Sequence, residues 1–223
     1  NPVNPDPPVE KAALALLSAE YTVTIIGWDR DANYTLKKEL IQISGYEAEV
    51  IRFGIKAQFS GGIKKNLFPL CLFLKRLRSW LIKNKELYDI IHAFDFDTGI
   101  VASRYAKKFR KKFVYHILDY YVDSHGLRKT VLEKPILKLE NSVIHSADAT
   151  IICTEKRKEQ IAGSALKRLA VIHNTPSMAQ IRQCDNRTQQ TGRTKIVYVG
   201  ILEPSRLLKE IVDAVSEDNS IEL

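Results

Sequence analysis

Glycine-rich phosphate loops are missing from this 223-residue chain. It holds no GxGxxG and no GxxxxGK[ST], so neither the dinucleotide fingerprint nor a P-loop is present. HExxH and GxSxG are also absent, which removes the best-marked zinc and serine hydrolases. Cysteine is scarce: Cys71, Cys153 and Cys184 form no CxxC and no Cys/His pair. Neither a disulfide framework nor a structural zinc site is expected, and a reducing, cytoplasmic setting is the simpler reading. No apolar run approaches the ~20 residues that cross a bilayer. Methionine occurs once, at Met178, and the chain opens Asn1-Pro2-Val3 without a basic-then-apolar leader. It therefore reads as a processed product or a piece of a longer sequence.

Apolar residues are plentiful. At 45% hydrophobic and 27% charged, the composition fits one or two globular domains with a core. The net charge of +8 is unevenly placed, since residues 56–112 hold 14 Lys/Arg against 4 Asp/Glu. One basic cluster (Lys64, Lys65, Lys75, Arg76, Arg78) surrounds Leu67-Phe68-Pro69-Leu70-Cys71-Leu72-Phe73-Leu74 and runs on to Trp80. A solvated helix face is the plain interpretation of such a run. Apolar residues flanked by cations also suit an in-plane helix on an anionic membrane surface. Lys64, Lys65, Phe68, Phe73, Arg76 and Trp80 are the expected contacts. Nucleic acid is not expected, because no recognition-helix, zinc-finger or RNP pattern accompanies the charge.

Short apolar runs alternate with helical periodicity along the chain. Residues 21–26, 49–53, 88–94, 113–117, 149–153 and 169–172 read as strands. Helical stripes follow Val9 to Leu17, Lys64 to Lys85, Val101 to Phe109 and Ile136 to Ala147. Near-continuous apolar strands separated by helices imply a doubly wound α/β domain around a parallel sheet. Residues 1–176 make that Rossmann-like domain, with Asp6 before Pro7 as a helix cap. Ser177 to Arg193 turns to Gln, Asn, Arg, Thr and Gly and reads as a linker. A new unit opens with a strand over residues 195–200 and a helix stripe through Leu207, Leu208, Ile211, Val212 and Val215. Residues 194–223 are too few for an independent core.

Ligands of open parallel sheets bind at the carboxyl ends of the strands. Asp95-Phe96-Asp97, Leu118-Asp119 and His173-Asn174 stand there. The DxD triplet can hold a divalent ion, but three-residue patterns of common residues recur by chance, and no metal site is expected. His116 and His125 flank Asp119 and Asp123; a histidine near a carboxylate suits acid/base work. The competing reading makes His116 a buried strand residue and Asp119 a turn cap.

Taken in order, several stretches resemble the N-terminal half of a family-4 glycosyltransferase of the GT-B fold. They are residues 4–11 leading into Val23-Thr24-Ile25-Ile26-Gly27-Trp28-Asp29-Arg30, residues 88–98, Val114-Tyr115-His116-Ile117-Leu118-Asp119, and residues 171–176. The resemblance implies an acceptor domain facing a nucleotide-sugar domain, with sugar transfer in the cleft between them and no bound metal or cofactor. Asp119 and His116 would be catalytic. Asp6, Asp95, Asp97 and Asn174 would face the acceptor, and Gly200 and Arg206 the donor diphosphate. The partners implied are a nucleotide-sugar, a lipid-linked acceptor from cell-envelope or polysaccharide assembly, and either a further donor domain or a partner chain. The sequence departs from the family at four places. The family's first strand is expected before Asn1, its Asp-Pro-Arg reads Asp6-Pro7-Pro8, His116 replaces an aspartate, and its Arg-Gly reads Arg206-Leu207. This chain alone is accordingly expected to be inactive. Two other readings stay open: a non-catalytic docking subunit of a split transferase, and a sugar-nucleotide epimerase.

Overall fold

Two hydrogen-bonded sheets organise the larger of two units, residues 1–174, in the computed structural model. The structure describes residues 3, 6–58, 62–175, 194–199, 207–216 and 221–222, with side chains excluded at 62–64 and 221–222. Helix α1 (Pro7–Ser18) starts at prolines, whose fixed φ suits a first turn, with Asp6 in the N-cap position. The Asp6 backbone N–H donates to Glu10 Oε1 at 2.9 Å.

The first sheet holds β1 (Thr24–Asp29), β2 (Leu36–Ile43) and β3 (Tyr46–Gly54) in the order β1-β3-β2. Strand β1 runs parallel to β3, and β2 antiparallel to it. Strand β2 was not among the expected strands, and its antiparallel pairing makes this sheet mixed rather than wholly parallel. The hairpin turn, Ser44-Gly45, has φ of 48° and 90°. Two central residues with positive φ match the right-handed twist of a two-residue hairpin.

The second sheet is all parallel: β4 (Ile90–Phe94), β5 (Lys112–Ile117), β6 (Ala149–Ile152) and β7 (Leu169–Val171), in that order. Four expected strands lie here within two residues of their predicted bounds. Helices α2 (Gly62–Lys83), α3 (Asp95–Phe109) and α5 (Glu133–Ser146) are the long crossovers, and α4 (Tyr121–Ser124) and α6 (Arg157–Gln160) are single turns. Helix α3 begins at Asp95, six residues before its apolar stripe, so the DxD triplet is a helical first turn and not a loop. Acidic residues there and Lys107 and Lys108 in the last turn both complement the helix dipole.

Helices α3 and α5 cover one face of the second sheet, around Phe113, Tyr115, Ile117, Val143, Ile144 and Ile152. A second cluster joins β1, β3, α2 and α3 through Trp28, Phe53, Phe73, Leu77, Leu81 and Tyr105. Within it Trp28 stacks on Phe73 at 5.3 Å and donates Nε1–H to the Ile55 carbonyl at 2.8 Å. This packing corrects the expected membrane set. Phe73 is 5% exposed and belongs to the core. Trp80 is half-buried and stacks on Tyr88, and Arg76 donates to the carbonyls of Thr35 and Gly54. Lys65 and Phe68 remain exposed, and the Lys64 side chain lies outside the described residues. No described helix is long and apolar enough to cross a membrane.

The smaller unit, residues 175–223, contains the parallel pair β8 (Thr194–Lys195) and β9 (Ile221–Glu222) and helix α7 (Leu208–Ser216). Its first strand is shorter than expected, because residues 196–199 carry no ladder. Val197 and Val199 are 80% and 90% exposed.

Gly99 lets α3 approach β5. A Cβ there would lie 2.7 Å from the Tyr115 ring and 3.2 Å from Val143 Cγ1. Tyr115 is fully buried and cannot swing aside. Gly99→Ala should therefore destabilise the fold by ~1–3 kcal/mol through overpacking, read from urea denaturation. Unchanged stability would mean that this interface has slack.

Candidate functional site

The carboxyl ends of β4, β5 and β6 bring three acidic and basic segments together. Strand β4 passes into α3 through Asp95, whose φ is 58°. Its Oδ1 accepts the backbone N–H groups of Leu118 and Asp119, at 2.8 and 3.1 Å, the first two residues after β5. Asp119 is thereby held at the mouth of a cleft of about 480 Å³, lined also by Asp123, Lys156, Arg157 and Gln160.

Asp119 meets a cation there. Arg157 Nη2 donates to Asp119 Oδ1 at 3.2 Å, while its Nε donates to Cys153 Sγ at 2.9 Å. The second hold comes from the end of β6 and aims the guanidinium. Asp119's side chain is 70% exposed, so the carboxylate faces the cleft. Asp123 is occupied differently: Arg128 Nε donates to it at 2.6 Å and Gln160 Nε2 at 2.7 Å. Arg157 was not among the site residues expected from the sequence. Its only signal was a basic residue shortly after an apolar strand, which any loop supplies.

His116 does not join this group. It lies inside β5, 6% exposed, its ring 4.8 Å from Phe94 and 5.5 Å from His92. Burial lowers its pKa to about 4, so it is neutral at physiological pH. A strand histidine facing its neighbours cannot reach a ligand beside Asp119, and the expected catalytic role is corrected. His125, by contrast, is exposed and stacks on Tyr121 at 4.0 Å.

The expected acceptor residues separate. Asp95 is half-buried, and burial pushes it up to about 6 against the two backbone hydrogen bonds that favour its charge. Asp97 is raised by burial too, opposed by His125, by a hydrogen bond with Tyr121 and by Arg30. Asp6 is buried at 7% in its cap position. Asn174 is exposed beyond β7, next to His173, whose carbonyl accepts from Lys11 Nζ at 3.0 Å. Gly200 and Arg206 lie outside the described residues. Among the described residues no group of three or more His, Cys, Asp or Glu is arranged to hold a metal ion.

Beneath the loop sits Glu140 of α5, fully buried. The Tyr115 hydroxyl donates to its Oε1 at 3.2 Å, and its Oε2 has no hydrogen-bond partner among the described residues. Burial raises it to about 7, against the Tyr115 hydroxyl and the Tyr121 backbone amide.

The sequence model described as Glycosyltransferase Family 4 matches residues 9–175. No curated protein matches the chain. Among solved structures, sucrose-phosphate synthase from Thermosynechococcus elongatus superposes with a TM-score of 0.66 at 18% identity, covering 96% of this chain and 54% of that one. The chain thus spans about half the length of that enzyme. A second structure under the same enzyme name gives a TM-score of 0.53 at 17% identity, covering 79% of this chain and 91% of that one. These likenesses establish the fold, an α/β unit with a four-strand parallel sheet flanked by helices, as in a GT-B domain.

Glu140 generates a stability prediction. A glutamate titrates near 4.5 when unfolded and here at about 7, so the fold prefers it protonated. Its contribution is fully present below about pH 4.5 and is lost as pH rises through about 7. A shift of this size corresponds to about 3 kcal/mol. Glu140→Gln should raise Tm at pH 8 by roughly 6–12 °C and change it little below pH 5. A lower Tm at pH 8, measured by circular dichroism, would show that the ionised carboxylate stabilises the fold.

Proposed function

The chain belongs to glycosyltransferase family 4, and from that premise we propose that it transfers a hexose from a nucleotide-sugar to a hydroxyl-bearing acceptor in cell-envelope or polysaccharide assembly. A domain of this family implies a nucleotide-sugar donor. The observation that carries the reading is the exposed Asp119 carboxylate, paired with Arg157 in a cleft at the carboxyl ends of parallel strands. In this proposal residues 1–176 hold the acceptor, 177–193 link, and 194–223 open the donor-binding unit. The division of contacts after residue 174 supports that arrangement.

Asp119 would accept a hydrogen bond from the acceptor hydroxyl and hold its oxygen toward the anomeric carbon, converting encounter into a near-attack geometry. As the new C–O bond forms, the bond from the anomeric carbon to the phosphate oxygen breaks. The electron pair leaves on the nucleoside diphosphate, and the hydroxyl proton follows to a phosphate oxygen. Cations and backbone N–H groups on the donor side would stabilise that charge. Arg157 holds Asp119 through Oδ1 alone, without covering both of its oxygens.

A lipid-linked acceptor fits the exposed part of α2, where Phe68 and Leu67 are 78% and 54% exposed beside Lys65. These three residues replace the larger membrane set of the sequence analysis. The double variant Lys65→Glu/Phe68→Ser should lose at least half of its sedimentation with liposomes containing anionic lipid. Wild-type binding to neutral vesicles alone would remove the membrane contact.

For the chemistry, Asp119→Ala in the full-length protein should lower turnover at least ~100-fold, with Tm nearly unchanged because the side chain is mostly exposed. Nucleoside diphosphate release across a panel of nucleotide-sugars and lipid-linked acceptors measures it. Near-normal turnover would reduce Asp119 to a structural cap.

A further inference from the structure

Asp95 occupies an uncommon backbone conformation for a non-glycine residue, and its own helix gains no cap from it. A φ of 58° is left-handed, a region that aspartate, asparagine and glycine tolerate better than other residues. At the start of α3 the N-cap residue is Phe94, and no side chain caps the helix. The carboxylate instead crosses to the neighbouring strand end, where Oδ1 takes the N–H groups of Leu118 and Asp119. Beyond Ile117 the β5 ladder has ended, so these two amides have no strand to bond. Glu140 of α5 accepts instead from the Tyr115 hydroxyl, within β5 itself. The hold on the amides of residues 118 and 119 comes from Asp95.

We propose that Asp95 is a positioning residue rather than an acceptor ligand: its carboxylate fixes the loop after β5 so that Asp119 and Arg157 meet across the cleft. The catalytic consequence rests on the reading of Asp119 given above, whereas the hold on the loop does not. The titratable groups facing Asp95 are Asp119 on the loop, Asp97 on its own helix, Glu140 on α5 and Tyr115 on β5. All are acidic, so nothing among them compensates its charge. A protonated carboxyl accepts more weakly than a carboxylate, and the hold loosens as pH falls through about 6.

The experiment uses the full chain with Asp95→Asn and Asp95→Gly, both of which suit a φ of 58°. Amide-exchange protection factors at Leu118 and Asp119 are measured from pH 5 to 8, with Ala102 and Ala106 in α3 as internal references. The glycine variant should lose at least ~10-fold protection at both loop amides while the α3 amides hold. The asparagine variant, whose side-chain oxygen can still accept, should keep most of the protection and lose the dependence on pH near 6. Unchanged loop protection in the glycine variant would overturn the proposal. In turnover, Asp95→Gly should lower kcat with KM for the donor within about twofold, and Asp95→Asn should restore much of the loss. Lost protection with full turnover would refute the positioning role. Absence of turnover by the wild type across the whole panel would count against the transferase reading, and the exchange result would still decide the hold on the loop.

Discussion

A single carboxylate oxygen accepting two backbone amides fixes the working end of this domain. Strand β5 carries the chain to the edge of the sheet, and regular hydrogen bonding stops at Ile117. The amides that follow must find other partners, and Asp95 supplies one acceptor for both. Hydrogen bonds to a charged group contribute ~1.5–3 kcal/mol each, and burial opposes them. The balance is visible in the direction of titration: Asp95 stands at about 6, so desolvation outweighs the bonds that favour its charge. Glu140, deeper still, goes to about 7. Strand-end geometry is thus held by groups that each make the fold less stable as they ionise. Such buried carboxyls are a common feature of functional loops.

Much of the parallel sheet was legible from sequence because its strands are short and apolar. Their residues pack under α3 and α5 on one face and are only partly covered elsewhere, as at Ile90 and Ala170. Strand β2 escaped notice because it obeys a different pattern. Its residues 36–43 are mostly exposed, with Lys37, Lys38, Leu40 and Gln42 among them, and among the described strands it pairs with β3 alone. The signal that was present, Ser44-Gly45 between two alternating stretches, is a turn signature and not a strand signature. Helix bounds suffered in the same way. The apolar stripe of α3 begins at Val101, but its first turn is polar and is stabilised by acidic side chains at the positive end of the dipole.

The site was legible only where it coincides with a strand end. Asp119 follows an obvious strand, so topology alone marked it for inspection. His116, two residues inside that strand, looked equally attractive because sequence spacing does not reveal which side chains are covered. The structure separates them: one is 6% exposed among aromatic rings, and the other projects into the cleft. Arg157 and Glu140 were invisible for a further reason. Arg157 meets the loop after β5 from 38 residues away and Glu140 meets Tyr115 within β5 from 25 residues away, and only tertiary packing brings them there. Such juxtapositions belong to tertiary structure.

Helix α2 illustrates how one apolar face cannot serve two purposes. Its composition suggested a helix lying in a membrane surface, which requires a continuous apolar stripe facing lipid. Phe73, Leu77 and Leu81 form that stripe at four-residue spacing, and all three are turned into the core against Trp28, Phe53 and Tyr105. What remains outside is a row through Phe68, Cys71, Lys75 and Arg78, apolar near its N-terminal end and cationic farther on. Such a row can touch headgroups at one end but cannot sink along its length, because doing so would require withdrawing Phe73 and its neighbours from the core. Each of those three side chains contributes ~1.5–3 kcal/mol when buried, so a lipid surface would have to supply more than it gains. Contact with a membrane, where it occurs, is therefore confined to the Lys65–Phe68 end of the helix, leaving the strand-end cleft as part of a folded domain that keeps its shape.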